Sequence, residues 1–274
     1  MIIPLSSPHV HSHYCDGQSS MEEMVQAAIS RGFVSLGFSS HAKQDFDLQY
    51  SMAQDKEAGY IAEARSLQLK YKGRIRLWIG LERDCFSTAD GALFDYVIGS
   101  VHYIDYDGSK VVVDGNAAEL RQDIACRYAG DGAAFAIDYY RLLGHYICRY
   151  KPAIIGHFDL VMKNNRHSEL FDPLDSAVLR AAHDALSACF EGCRLMEVNT
   201  GAMARSGAEV PYPAIGLLRR WREMGGQVIL SSDCHFAPQI DANYAEGLRL
   251  MREAGYQEMQ ILGRHDALLE TVPL

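Results

Sequence analysis

The sequence predicts an α/β fold built on a parallel sheet, and three observations carry that prediction. Short apolar runs alternate with longer amphipathic segments, as in "VSLGFSSH", "RIRLWIGLE" and "GQVILSSDCH". The runs lack polar alternation, which is the pattern of strands buried on both faces. Each run also ends in a side chain able to bind a metal or a substrate. In a parallel barrel the carboxyl ends of the strands converge on one face, where active sites are built.

The elements follow in order. "SPHVHSHYCDG", Ser7 to Gly17, places His9, His11 and His13 with Cys15 and Asp16 ahead of the first helix. A strand repeats every two residues, so an extended segment would point the three imidazoles the same way. "SSMEEMVQAAISRG" opens a helix: Ser19 with Glu22, or Ser20 with Glu23, has capping-box spacing, and Gly32 stops it. "VSLGFSSH" is then a strand, followed by a polar helix around 55–71 and the strands "RIRLWIGLE" and "FDYVIGSVH". The connection from Glu82 to Phe94 is too short to need a crossover helix. Helices are expected around 133–150, 174–189, 213–225 and 243–254, separated by the strands "AIIGHFD", "RLMEVNT" and "GQVILSSDCH". The charge runs "KYKGR" and "LLRRWRE" read as helix faces in water. No repeat or Pro/Ser-rich linker interrupts the chain, so residues 1–274 are expected to form a single domain.

Composition narrows the function. With 274 residues, 48% apolar and 22% charged, the chain can bury a large core. A net charge of -9 argues against a general nucleic-acid or anionic-membrane binder, though not against a small phosphorylated substrate held by local groups. "MIIPLSSPHV" has no basic start, and no stretch approaches the roughly 20 apolar residues of a membrane span. The seven cysteines are scattered, without CxxC pairs, which fits reduced thiols and a cytoplasmic protein.

Read to their ends, the runs give His41, Glu82, His102, His157, Glu197 with Asn199, and Asp233 with His235. Any one of these has an ordinary structural explanation as a cap, an ion pair or a hydrogen-bonded histidine. Independent causes would not put a ligand at the end of nearly every strand. A mixed imidazole and carboxylate set suits Zn, Mn or Fe and is catalytic in character.

These motifs resemble the polymerase and histidinol phosphatase (PHP) superfamily. "HVHSHYCDG", "GFSSHA", "GLERD", "VIGSVHYI", "IIGHFDL", "MEVNTG" and "SSDCH" occur in the superfamily's order over residues 7 to 236. "DYVIGSVHYI", "GHFDLV" and "EVNTG" are most similar to its histidinol-phosphate phosphatase branch. The resemblance implies a distorted (β/α)7 TIM-like barrel holding up to three divalent metal ions (Zn, Mn or Fe). His9, His11, Glu82 and Asp233 would hold the first. Glu82 would bridge to a second, held also by His102 and His157. Asp16, His41 and His235 would hold the third. Ser7 stands where the superfamily usually has an aspartate, which implies altered support for the ligands rather than a lost metal. His13 lies outside the implied set and is a solvated or substrate-facing histidine. Cys15 packs beside the ligands.

The resemblance also implies the chemistry, hydrolysis of L-histidinol phosphate in histidine biosynthesis. Three divalent ions bring about six positive charges, and Asp16, Glu82 and Asp233 offset about half. A hydroxide bridging the first two metals would be the nucleophile, and the third metal would polarise the phosphoryl or leaving oxygen. Asp233 and Glu82 are the expected catalytic carboxylates, with Asp233 or a metal-bound water as the proton donor. Arg166 and Arg205, in the loops after "GHFDLVMKNN" and "EVNTGAMA", would clamp phosphate with help from Ser206. Other small phosphate esters, a phosphotyrosyl protein or a nucleotide are alternative substrates. A silent metal-binding module and an amidohydrolase are alternative classes.

Overall fold

The computed structural model describes residues 3–274. The first half contains β1 (Leu5–Ser7), α1 (Met21–Ser30), β2 (Phe33–Phe38), α2 (Glu57–Lys70), β3 (Arg76–Asp84), β4 (Tyr96–Ser100), β5 (Tyr103–Tyr106), β6 (Ser109–Val112) and α3 (Ala117–Arg127). The second half contains α4 (Gly132–Tyr150), β7 (Ile154–Ile155), α5 (Ser176–Gly192), β8 (Leu195–Asn199), α6 (Gly201–Arg205), α7 (Ile215–Glu223), β9 (Gln227–Ser231), α8 (Tyr244–Glu253), β10 (Glu258–Leu262) and β11 (Leu269–Pro273).

The main sheet runs β1-β2-β3-β4-β7-β8-β9-β10-β11. Its neighbours are parallel except β10 and β11, which pair antiparallel. The seven strands β1–β4 and β7–β9 therefore point their carboxyl ends to one face, the arrangement of a distorted (β/α)7 barrel. The ladder does not run unbroken around it. At the upper end Val10 bridges Cys234, joining the segments that follow β1 and β9. Lower down, β10 wedges into the seam: Ser35 Oγ donates to the Leu262 carbonyl (2.5 Å) and the Leu262 amide donates to Ser6 Oγ (3.2 Å). Side-chain hydroxyls thus replace a ladder there.

Local chemistry accounts for most boundaries. Ser20 and Glu23 complete the capping box of α1, with Glu23 N–H on Ser20 Oγ (3.2 Å) and Ser20 N–H on Glu23 Oε2 (2.7 Å). β3 and β4 are joined without a helix, as their spacing predicts; a single 3-10 turn lies at Gly91–Leu93. Four elements go beyond the sequence reading. The β5–β6 hairpin turns at Asp107 and Gly108, both at positive φ, the geometry that Asp-Gly favours. Helix α3 is capped by Asn116, α6 spans only five residues, and β10–β11 forms a terminal hairpin. "KYKGR" also departs from its reading: Lys70 ends α2, and Tyr71 to Arg74 turn beneath the barrel through Gly73 at φ +82°.

One apolar core runs through the barrel and under the helices. Its axis is filled by Tyr96, whose hydroxyl donates to the Pro8 and Phe38 carbonyls. Space for that ring comes from Gly80, where a Cβ would stand 2.3 Å from Tyr96 Cζ. Among the described residues all seven cysteines are free, and no helix is long and apolar enough to cross a membrane.

Overpacking at this point has a defined cost. Gly80→Ala should destabilise the protein by about 1–3 kcal/mol, read as a lowered urea midpoint. Gly216→Ala in α7, where a Cβ meets nothing within 4 Å, should be neutral or slightly stabilising. Equal midpoints for the two variants would show that the Tyr96 ring yields without cost.

Candidate metal centre

Six strand ends, those of β1–β4, β7 and β9, bring His9, His11, Asp16, His41, Glu82, His102, His157, Asp233 and His235 together. Backbone pairing sets their positions. The His11 amide donates to the Cys234 carbonyl (2.8 Å), fixing the first histidines against the last aspartate. His41 bridges Glu82 in parallel register, with the Ala42 amide on the Glu82 carbonyl (2.7 Å). Asp233 occupies the left-handed region at φ +47°, which few residues other than glycine adopt.

Glu82 is the hub. Its Oε2 lies 2.9 Å from His41 Nδ1, 3.1 Å from His9 Nε2 and 3.4 Å from His11 Nε2. Its Oε1 lies 3.0 Å from His157 Nε2 and 3.4 Å from His102 Nε2. Asp233 Oδ1 is 3.1 Å from His11 Nε2 and 3.6 Å from both His9 Nε2 and His235 Nδ1. Asp16 reaches His235 (3.2 Å), His11 (3.6 Å) and His41 (3.7 Å). Three ligand groups converge closely: His11, Asp16, His41 and His235; His9, His11 and Asp233; and His41, Glu82 and His102.

The donor atoms of this cluster are short of partners. His9 Nε2, His11 Nε2, Asp16 Oδ1 and Glu82 Oε2 are buried without a hydrogen bond. Burying such groups unpaired is costly, and divalent cations satisfy imidazole nitrogens and carboxylate oxygens together. The residues fit bound divalent metal.

Their electrostatics agree. Burial alone would lower His9, but Glu197, Glu82 and Asp233 outweigh it and hold its pKa well above the ordinary range. His102 is raised in the same way, its burial overcome by Glu82 and Asp84, and His41 is raised against burial by Glu82 and Asp16. His11 is lowered by burial and by its neighbours His235 and His41. Burial pushes Glu82 and Asp233 up. For Glu82 it is overcome by His9, His41 and His102, and for Asp233 by Arg205 and His9, so both carboxylates are depressed.

A supporting layer lies behind the cluster. Glu197 Oε2 accepts from His9 Nδ1 (2.9 Å) and Ser231 Oγ (2.7 Å), while Oε1 accepts from the His157 amide (2.7 Å) and Asn199 Nδ2 (2.8 Å). Ser7 Oγ donates to the His9 carbonyl (3.2 Å) and Glu197 holds the His9 ring. Asp84 is a residue the sequence reading missed. Its Oδ2 accepts from the His102 amide (2.7 Å) and stands 3.4 Å from His102 Nδ1. Its spacing of two from Glu82 on one strand was the available clue.

Above the cluster lies a cavity of about 90 Å³, with Arg205, Ser206, Lys163, Asp114, Tyr50 and Tyr212 on its wall. Arg205 Nη2 is 2.8 Å from Asp233 Oδ2, and its Nη1 is 3.0 Å from His235 Nδ1. Ser206 Oγ turns back to the Ala202 carbonyl (2.9 Å). Arg166 is exposed outside the cavity wall and its guanidinium donates to the Ser206 carbonyl. Lys163 pairs with Asp114 Oδ2 (3.0 Å), and Tyr50 stacks on His41 with ring centroids 4.5 Å apart. Nothing in the local sequence marked Asp114, Tyr50 or Tyr212. His13 stands apart, half exposed and tilted against the Tyr14 ring. Cys15 lies 3.4 Å from His11 Nδ1, its thiol pushed up to about 11 mainly by burial.

Residues 7–201 match the PHP domain family. A Schizosaccharomyces pombe protein named "Probable histidinol-phosphatase" is 28% identical over 270 residues, covering 88% of this chain and 84% of its own. The histidinol-phosphatase of Bacillus subtilis is 25% identical over 260 residues, covering 86% and 95%. The histidinol phosphate phosphatase of Lactococcus lactis, solved with zinc, L-histidinol and phosphate, superposes with a TM-score of 0.64 at 22% identity. That match covers 94% of this chain and 97% of the other, and it shows the same fold.

Two measurements test the centre. Glu197→Gln sets amide hydrogens against two of four donors, so it should cost about 2–4 kcal/mol in urea unfolding of the chelated protein. It should also weaken metal retention about 10- to 100-fold by elemental analysis after dialysis. An unaltered metal content would remove Glu197 from the support of His9. The raised histidines give the second test. In the chelated protein their stabilisation is complete below about pH 6.5 and lost as pH rises through their raised values. The depressed carboxylates stay ionised there and add no slope. Metal must expel the imidazole protons, so its affinity rises with pH. Calorimetry in buffers of different ionisation enthalpy should therefore record net proton release on metal addition; none would mean that the imidazoles are already neutral.

Proposed function

The chain belongs to the PHP domain family, and from that membership we propose that it is a metal-dependent phosphomonoesterase. Its substrate on this reading is L-histidinol phosphate, hydrolysed to L-histidinol and phosphate in the cytoplasm as a step of histidine biosynthesis. The observation that carries the reading is the composition of one cavity. Metal-ligand atoms without partners form its floor, and the wall presents two cations, Arg205 and Lys163, with one carboxylate, Asp114. That combination suits a substrate bearing a phosphate at one end and an ammonium group at the other. The names of the relatives and the zinc, histidinol and phosphate bound by the Lactococcus lactis protein support the same substrate.

The ligand assignment is three metals: His9, His11, Glu82 and Asp233 for one, Glu82, His102 and His157 for the next, and Asp16, His41 and His235 for the third. Bound there, divalent cations supply the positive charge that polarises phosphoryl oxygens and acidifies water. Glu82 would serve the first two, since both its oxygens face imidazoles. Asp233 lines the cavity, and its Oδ2 accepts from Arg205 Nη2 (2.8 Å) and Asn199 Nδ2 (3.2 Å); freed of Arg205 when the substrate takes the guanidinium, it takes a proton from the attacking water and returns one to the leaving oxygen. Arg205 clamps the phosphoryl oxygens with its planar fork, exchanging Asp233 for the substrate. Arg166 and Ser206 act together, Arg166 holding the Ser206 carbonyl so that the loop after α6 stays against the cavity. Asp114 is held ionised against its burial by Lys163, and its Oδ1 has no partner. It is the acceptor for the substrate ammonium.

Phosphate release from L-histidinol phosphate, measured beside other phosphomonoesters with metal-loaded protein, tests the reading. The expected result is a preference in kcat/KM of about 100-fold or more, abolished by chelation and by His102→Ala. Arg205→Ala should lower kcat/KM for histidinol phosphate by about 100-fold, the scale of a lost charged oxygen clamp. Equal turnover of all esters would keep the centre and overturn the substrate.

A further inference from the structure

We propose that the amino-terminal mouth of the barrel, at the opposite pole from the metal centre, binds a small organic phosphate. The proposal does not depend on the substrate reading above. "KYKGRIR" ends α2 and enters β3, and it frames a cavity of about 750 Å³ between the start of β2 and the β10–β11 hairpin. Five cations line it against two carboxylates, in a chain whose net charge is -9. Two of the cations are neutralised: Arg65 by Asp95 (3.3 Å) and Arg264 by Glu270. Lys72, Arg74 and Arg76 have no carboxylate partner among the described residues, and Asp266 is the one unpaired acid on the wall.

Arg76 is the centre of the site. Its guanidinium lies 4.6 Å above the Trp78 ring, and Trp78 is itself fixed by its indole N–H on the Gly263 carbonyl (2.9 Å). Arg76 Nε is buried and has no acceptor. Stacking therefore holds the fork in one plane with a buried donor unsatisfied, which is the preorganised form that binds phosphate oxygens. Lys72 and Arg74 add charge at the rim. Phe33 and Leu69, the latter 78% exposed, give the same cavity an apolar wall. An inorganic ion would leave that wall wet, whereas the body of a phosphate ester would cover it.

The test is titration of metal-loaded, full-length protein with adenosine monophosphate and with inorganic phosphate. It is read by calorimetry and by tryptophan emission; Trp78 and Trp221 are the only tryptophans, and Trp221 is fully buried elsewhere. Adenosine monophosphate should change the emission and bind about tenfold more tightly than inorganic phosphate. Arg76→Gln should weaken it about tenfold in the Trp78 emission titration, Arg76→Lys less, and Lys72→Ala with Arg74→Ala should flatten the dependence on KCl. Turnover at the metal centre should be unaltered in these variants. The surface pair guards against a folding defect in Arg76→Gln. No emission change, or an affinity insensitive to all of these variants, would overturn the site. Equal affinity for inorganic phosphate in the Trp78 emission response, which does not report the metal centre, would overturn its assignment to an organic ligand.

Discussion

The carboxylate of Glu197 is the constraint on which the upper barrel depends. Its two oxygens accept four hydrogen bonds, from the His9 ring, the Ser231 hydroxyl, the His157 amide and the Asn199 side chain. Those donors belong to β8 and β9 and to the segments following β1 and β7, so one buried anion ties four strand ends across the seam. Such a group is tolerable inside the protein only when its acceptor capacity is used, and here it is. Glu197 is thereby committed to its neighbours, whereas Glu82 Oε2 faces imidazole nitrogens without a completed hydrogen bond, as a metal ligand would. Two fully buried glutamates on the same barrel thus have different fates because their donors differ.

The same separation between satisfied and unsatisfied groups marks function along the barrel axis. Buried atoms without partners gather at the carboxyl ends of the strands: His9 Nε2, His11 Nε2, Asp16 Oδ1, Glu82 Oε2, Asp114 Oδ1 and the Tyr50 and Tyr212 hydroxyls. Between the poles the axis is filled by Tyr96, packed over glycine, with both hydroxyl contacts made to carbonyls. That middle layer is tightly packed around the ring. Unmet hydrogen-bonding capacity costs stability wherever it occurs, so its concentration around the histidine and carboxylate cluster marks a place where a ligand repays it.

The sequence was most legible where side-chain chemistry and strand period coincide. Apolar runs ending in His41, Glu82, His102, His157, Asp233 and His235 were visible because a parallel strand buried on both faces leaves its first ligand at its end. Asp84 was within reach of the same reasoning. The β5–β6 hairpin carried an Asp-Gly turn and still escaped, because the run before it already ended in a ligand. Asp114, Tyr50 and Tyr212 could not be read. They arrive on the cavity wall through tertiary packing of loops, which no local period encodes. "KYKGR" failed for a related reason: its charges look like a solvated helix face until Gly73 turns them under the barrel.

Arg205 shows why charge and geometry have to be considered together at such a site. Its guanidinium occupies Asp233 and contacts His235, the two polar residues that follow β9 at the barrel seam. A cation placed there offsets part of the buried negative charge of Asp16, Glu82 and Asp233. Three divalent ions would reverse the local sign, since about six positive charges exceed what three carboxylates supply. The Arg205–Asp233 pair then becomes a contact between a cation and an over-neutralised carboxylate, and its Coulombic gain shrinks with proximity to the added charge. A phosphate dianion would restore that gain by giving the guanidinium a better partner at the same place. On the proposed reading, the residue that balances the carboxylates of the cluster is also the one that would hold the substrate, and the two roles follow from one position on α6.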